Sequence, residues 1–198
     1  TSGADLNDKV IFLVFKNGAS SPFICIKTVR NYQARAAIIR NFNNLKILNE
    51  LTSSSIYVRM FAQALYLYLD GENVFSIETA CPGKRVPKNR EKLRDVVIDY
   101  VGFQEHLSKS GDYSMRGMSQ LAKETVVKLG LNKRDQDKLL EYIAGLSITK
   151  VSLPSLIQHG DLTLDNILWS ENGLCIIDYD YVGSSDIPGF DLFGLFRR

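Results

Sequence analysis

Two spacings of apolar residues divide the chain. In the first eighty positions, "VIFLVF" (10–15) and "FICIKTV" (23–29) are rich in β-branched and aromatic residues and flank the turn-forming "KNGASSP". That pattern predicts an antiparallel hairpin. One lysine, Lys27, interrupts the apolar run of the second strand. "NYQARAAIIRNFNNLKILNEL" then places Ile38, Phe42, Leu45, Leu48 and Leu51 at intervals of three and four, which predicts an amphipathic helix ending before Ser53. A second hairpin follows, "ALYLYL" and "VFSIETA" around Asp70-Gly71-Glu72-Asn73, residues that tolerate the positive φ of a tight turn.

At "CPGKRVPKNR" the pattern changes. Pro82, Gly83 and Pro87 interrupt strand and helix alike, and helical spacing dominates the next sixty or so residues. Leu93, Val96, Val97, Tyr100, Val101 and Leu107 mark one helix, Leu121 to Leu129 a second, and Leu139, Leu140, Ile143 and Leu146 a third with Asn132 as its N-cap. "VSLPSL" leads into a polar loop, and "LCIID" predicts a short strand ending at Asp178. The chain therefore divides into a β-rich part, residues 1–80, and a mostly helical part, residues 81–198. Both ends read as cuts through a longer domain: "TSGADLNDK" is a turn-like lead into a strand, and "FDLFGLFRR" is apolar without a cap.

Composition narrows the function. With 198 residues, 45% of them hydrophobic and 23% charged, and a net charge near +2, the chain has the makings of a folded core and no global attraction to nucleic acid. Six basic residues within 83–94 lack interleaved aromatics for base stacking and read as a solvated face. No apolar run approaches the roughly 18 residues of a membrane span. Cys25, Cys81 and Cys175, odd in number and widely spaced, predict free thiols in a reducing, cytoplasmic setting.

The chemistry concentrates in "HGDLTLDNILWSENGLCIIDYDYVG" (159–183). His159-x-Asp161-x4-Asn166, with Asp178 twelve residues later at the end of an apolar strand, is a spacing suited to phosphoryl transfer. Mg²⁺ takes hard oxygen ligands, which Asn166 and Asp178 provide. Asp161 is placed to orient an attacking hydroxyl and receive its proton. A chance His-x-Asp-x4-Asn match occurs in roughly one chain in forty of this length, so the weight comes from the ordered set: strand lysine, helix, polar loop, strand and aspartate. Two other classes remain open: a module that binds nucleotide with little or no catalysis, and a metal-dependent hydrolase with His159, Asp161 and Asp178 as ligands.

"HGDLTLDNIL", "CIIDYDYVG" and "DLF" resemble the aminoglycoside phosphotransferase and choline kinase group, the small-molecule branch of the protein-kinase-like fold. The resemblance implies an α+β, two-lobed fold and an ATP- and Mg²⁺-dependent kinase acting on a small-molecule hydroxyl acceptor of sugar, aminoglycoside or amino-alcohol type. It implies that Lys27 holds the α and β phosphates, and that the backbone of Glu78, Thr79 and Ala80 meets adenine. Asp161 would be the catalytic aspartate and Asn166 and Asp178 the metal ligands, while His159 braces the loop. Asp191 would cap a helix and brace the loop as well. Gly160 stands where protein kinases carry arginine, which favours a small-molecule acceptor. The helix position expected to hold a glutamate against Lys27 is Asn44, with Glu50 nearly two turns further on. Asp165 and Asp180 read as solvated or supporting carboxylates, Asp186 has no assigned role, and Trp169 reads as packing.

Overall fold

The computed structural model describes residues 9–87, 90–110, 115–117, 126, 131–145, 152–154, 156–185 and 189–196. Strands β1 (Lys9–Phe15) and β2 (Pro22–Val29) form the first hairpin, and β3 (Ala64–Asp70) and β4 (Asn73–Thr79) the second. They assemble into one antiparallel sheet in the order β1-β2-β4-β3. Between the hairpins, α1 (Arg35–Thr52) packs across β2, β3 and β4. Its buried stripe is Ala37, Ile38, Asn41, Leu45, Leu48 and Thr52. A fully buried asparagine in that row needs a polar partner from the sheet.

Register decides what faces α1. Ile11 pairs with Lys27, Cys25 with Glu78 and Lys27 with Ser76. Directly paired residues share a face, so Lys27, Ser76 and Glu78 converge beneath the helix, and all three are buried. Lys9, opposite Val29, lies on that same face, one diagonal from Lys27.

The second part opens with β5 (Lys84–Arg85) and continues through α2 (Arg90–Ser110), β6 (Met115–Gly117), α3 (Lys133–Gly145), β7 (Ser152–Pro154) and β8 (Leu156–Gln158). A 3₁₀ turn at Leu164–Asn166 leads into β9 (Ile167–Ser170), β10 (Gly173–Ile176), β11 (Gly183–Ser185) and α4 (Phe190–Phe196). Asn132 caps α3 through its side chain, 3.1 Å from the Asp135 amide. The helical stretch expected after residue 81 is broken by strands: β6 pairs with β7, and β5 with β9. These pairings are two or three residues long and join distant segments, so no local periodicity announces them. The helix expected at 121–129 lies outside the described residues apart from Val126, and so does Asp186.

One core joins the two parts. Leu45 and Leu48 of α1, Phe61, Val96, Tyr100 and Phe103 of α2, and Leu162, Ile167, Ile176 and Tyr179 pack together. Phe61 stands at the centre, 5.1 Å from the Phe103 ring and 6.0 Å from Tyr179, and it bridges in parallel to Ile176. Burial of each large side chain stabilises the fold by about 1.5–3 kcal/mol, and it fixes the end of β10 against the sheet lobe. Cys81 and Cys175 form a disulfide, with Cα atoms 6.1 Å apart, which corrects the expectation of three free thiols. Their separation of 94 residues gave no spacing to read. Cys25 is free and buried, and burial, with the Glu78 charge adding to it, pushes its thiol up to about 11. It is therefore an inert core residue.

Candidate active site

The polar loop after β8 is held from below by one carboxylate. Asp191, 1% exposed in the first turn of α4, accepts the amides of His159 at 2.6 Å and Gly160 at 2.8 Å, together with the Tyr100 hydroxyl. Its own amide donates to the Gln158 side chain at 3.0 Å. The expected helix cap falls elsewhere, because the Gly189 carbonyl receives the Leu192 and Phe193 amides. Burial and the Asp191 charge push the Tyr100 hydroxyl well above its ordinary range, so it stays a donor.

His159 has no nitrogen to spare. Its Nε2 lies 2.9 Å from the Ile177 carbonyl, and its Nδ1 accepts the Asp161 amide at 3.4 Å. The network therefore assigns the neutral tautomer with the proton on Nε2. The hydrolase reading thereby loses its histidine ligand, and no group of three His, Cys, Asp or Glu able to hold a metal occurs among the described residues. Gly160 adopts φ +84°, and a Cβ there would run into the Tyr181 carbonyl and lie 2.9 Å from Tyr181 Cβ. Only glycine fits this bend.

This scaffold presents the three polar residues expected from the sequence. Asp161 is exposed, on the wall of a cleft of about 340 Å³ that Gly160, Thr163, Phe190 and Phe193 also line. Asn166 donates its side-chain amide to the Asp161 carbonyl at 2.9 Å, so its Oδ1 is the atom left to meet a cation. The Asn166 carbonyl accepts the Ile177 amide at 2.9 Å, which locks the loop to the segment that carries Asp178. The predicted strand stops at Ile176, two residues short, and Asp178 takes a left-handed φ of 66°. Aspartate tolerates that region better than most residues.

Tyr179, fully buried, plugs the segment into the core. Its hydroxyl donates to the Ile176 carbonyl and receives the Ala62 amide at 3.4 Å. Burial, then the Glu78 charge, raises its pKa well above the usual value and keeps it a donor. On either side stand Asp178, whose side chain is 44% exposed, and Asp180, at 3%. Asp180 is thus buried rather than solvated, and its Oδ1 has no hydrogen-bond partner. Asp165 lies at the surface, 3.5 Å from Arg85.

Across from this loop, Lys27 Nζ lies 2.7 Å from Glu78 Oε1 and 3.2 Å from Asn41 Oδ1. It stands 5.8 Å from the Tyr179 ring centroid, within cation–π range. The partner from α1 is therefore Asn41, and neither Asn44 nor Glu50. Asn44 instead donates to the Tyr179 carbonyl at 2.7 Å, and Arg40 to that of Asp180 at 2.9 Å. The negative charge comes from Glu78 because strand register brings it beside Lys27, a contact that helical spacing cannot reveal. The Thr79 amide donates to Gln63 and the Ala80 amide to Phe23, each at 3.0 Å. Both donors are committed to the sheet.

The sequence missed Lys9. Its ammonium lies 2.7 Å from Asp178 Oδ1 and also contacts Asp180 Oδ2. Burial works against its charge, and the two carboxylates outweigh that cost, leaving its pKa raised. The available signal was the hairpin register, which sets Lys9 on the face of Lys27.

The profile of the phosphotransferase enzyme family matches residues 100–198, half of the chain. Among solved structures, aminoglycoside phosphotransferase APH(3″)-Id from Streptomyces rimosus, in complex with ADP and streptomycin, superposes with a TM-score of 0.57 at 18% identity, covering 98% of this chain and 78% of that one. The GDP and kanamycin complex of an APH(2″) enzyme gives 0.57 at 17%, covering 95% and 72%. Amicoumacin kinase, in complex with AMP-PNP and Ca²⁺, gives 0.51 at 12%, covering 93% and 62%. At these identities the likeness establishes the kinase-like fold. No curated protein sequence matches the chain.

Proposed function

The chain belongs to the phosphotransferase enzyme family, and from that premise we propose that it moves the γ-phosphoryl group of ATP onto a hydroxyl of a small polar molecule, with Mg²⁺. The observation that carries this reading is the loop itself. Bonds to Asp191, Ile177 and His159 hold its backbone, so Asp161 is presented to a cleft while Asn166 turns its amide nitrogen inward and leaves its oxygen for a cation.

In this reading Asp161 accepts a hydrogen bond from the acceptor hydroxyl, aligns it with the phosphorus and takes its proton as the new P–O bond forms. Asn166 and Asp178 would hold Mg²⁺, whose contribution is to neutralise phosphate oxygens. The donor set fits: a carbonyl oxygen and carboxylates are hard ligands, and Asp178 and Asp180 already gather positive charge around them. Lys27 supplies fixed positive potential from the sheet. Ile11 and Leu13, exposed on the Lys27 face of β1, offer an apolar cover to the nucleobase. With the Thr79 and Ala80 amides engaged, base recognition near Glu78 to Ala80 falls to carbonyl groups and to the next free amide along the chain. The acceptor, a sugar, aminoglycoside or amino alcohol, would meet the cleft beside Asp161, where Phe190 and Phe193 provide flat apolar walls.

Calorimetry with Mg-ATP tests the metal assignment. The wild type is expected to bind and Asp178→Ala to lose at least about ten-fold in affinity. Equal affinity would remove Asp178 from the site. Phosphorus NMR over a panel of amino sugars and amino alcohols tests transfer, and nucleotide binding with no turnover on any of them would favour a binding module instead.

A further inference from the structure

Two cations of the sheet lobe face the loop, and they differ in where their partners lie. Lys27 is buried and held by Glu78 and Asn41. Lys9 sits at the start of edge strand β1 and reaches across to Asp178 and Asp180, with no other charged partner among the described residues. Asp178 Oδ1 cannot accept the ammonium at 2.7 Å and bind a divalent ion through the same lone pairs. The unpartnered Oδ1 of Asp180 adds a second sign that the acidic pair is incompletely neutralised by one lysine.

We propose that Lys9 is a tethered cation that competes with divalent metal for the Asp178–Asp180 pair, holding the pair while no nucleotide is bound and passing to the nucleotide phosphates once metal takes Asp178. The inference rests on the metal reading of Asp178 given above. Local charge compensation explains the exchange. An empty acidic pair repels itself, and Lys9 reduces that repulsion. When metal arrives with a triphosphate, the phosphates supply new negative charge for the displaced ammonium, on the sheet face that Lys27 also occupies. Metal alone offers Lys9 no such destination, so metal and nucleotide bind cooperatively.

The test is Mn²⁺ titration followed by electron paramagnetic resonance, with and without ATP, on wild type, Lys9→Met and Lys9→Arg. Lys9→Met is expected to bind Mn²⁺ alone about ten-fold more tightly than wild type, and to gain correspondingly less from ATP. Lys9→Arg keeps the competing charge and the weak Mn²⁺ binding. Should Lys9→Met fold poorly by circular dichroism, Lys9→Gln carries the same arm. A neutral variant that takes Mn²⁺ no more tightly, even one that melts at lower temperature, reduces Lys9 to a structural latch and overturns the proposal. If wild type binds Mn²⁺ with ATP while this gain is missing, the competition fails alone. If no form binds Mn²⁺ even with ATP, both readings fail.

Discussion

The brace around Asp191 and the mouth around Asp178 are both built on aspartate, yet they are opposite kinds of site. Asp191 is enclosed, and its oxygens receive two amides and a tyrosine hydroxyl. Asp178 is half-exposed and answers to a single amine from the other lobe. A carboxylate saturated by fixed donors holds a shape. One balanced by a movable charge is ready to exchange it. The difference predicts which substitutions unfold the protein and which only disarm it.

The largest loss of stability belongs to the brace. Asp191→Ala strands three donors at once and should cost about 4 kcal/mol or more in urea unfolding. A loss under about 1 kcal/mol would show that the loop has other support. Next comes the buried pair in the sheet. Glu78→Gln leaves the Lys27 ammonium without its counter-charge and should cost about 3 to 5 kcal/mol, whereas Lys27→Met with Glu78→Leu should recover most of it. A double variant as unstable as the single one would mean that packing, not charge, sets the cost. Asp161→Asn should produce the smallest change, within about 0.5 kcal/mol, because its carboxylate has no fixed partner among the described residues. Its turnover should nonetheless fall by at least about a hundred-fold with nucleotide binding kept. Retained turnover would take Asp161 out of the reaction.

The two regions also differ in how far the sequence revealed them. Both hairpins and α1 were legible, since the β-branched and aromatic runs, the "KNGASSP" and "DGEN" turns and the stripe from Ile38 to Leu51 are local signals. The residues of the loop could be named from their spacing, because a stretch of six residues must bring Asp161 and Asn166 near each other. The partners of Lys27 could not. Glu78 arrives through register on the neighbouring strand β4, about fifty residues further along the chain, and Asn41 looks in sequence like an interruption of an apolar stripe. Lys9 was hidden for a similar reason, lying at the edge of a turn-like segment while its contacts are some 170 residues distant. Short strands β5, β6 and β7 exist only through their partners. Local chemistry is written in the chain, whereas the charges that balance it are supplied by topology.

Tyr179 gives the mouth a further property. Pinned by Ile176, Ala62 and Asn44, it fixes the backbone from which Asp178 and Asp180 project, so the two acids are rooted at a set spacing. On the metal reading proposed above, selectivity among cations would follow from radius as well as charge, and a change at this tyrosine would alter which ion fits before it altered how strongly any ion is held.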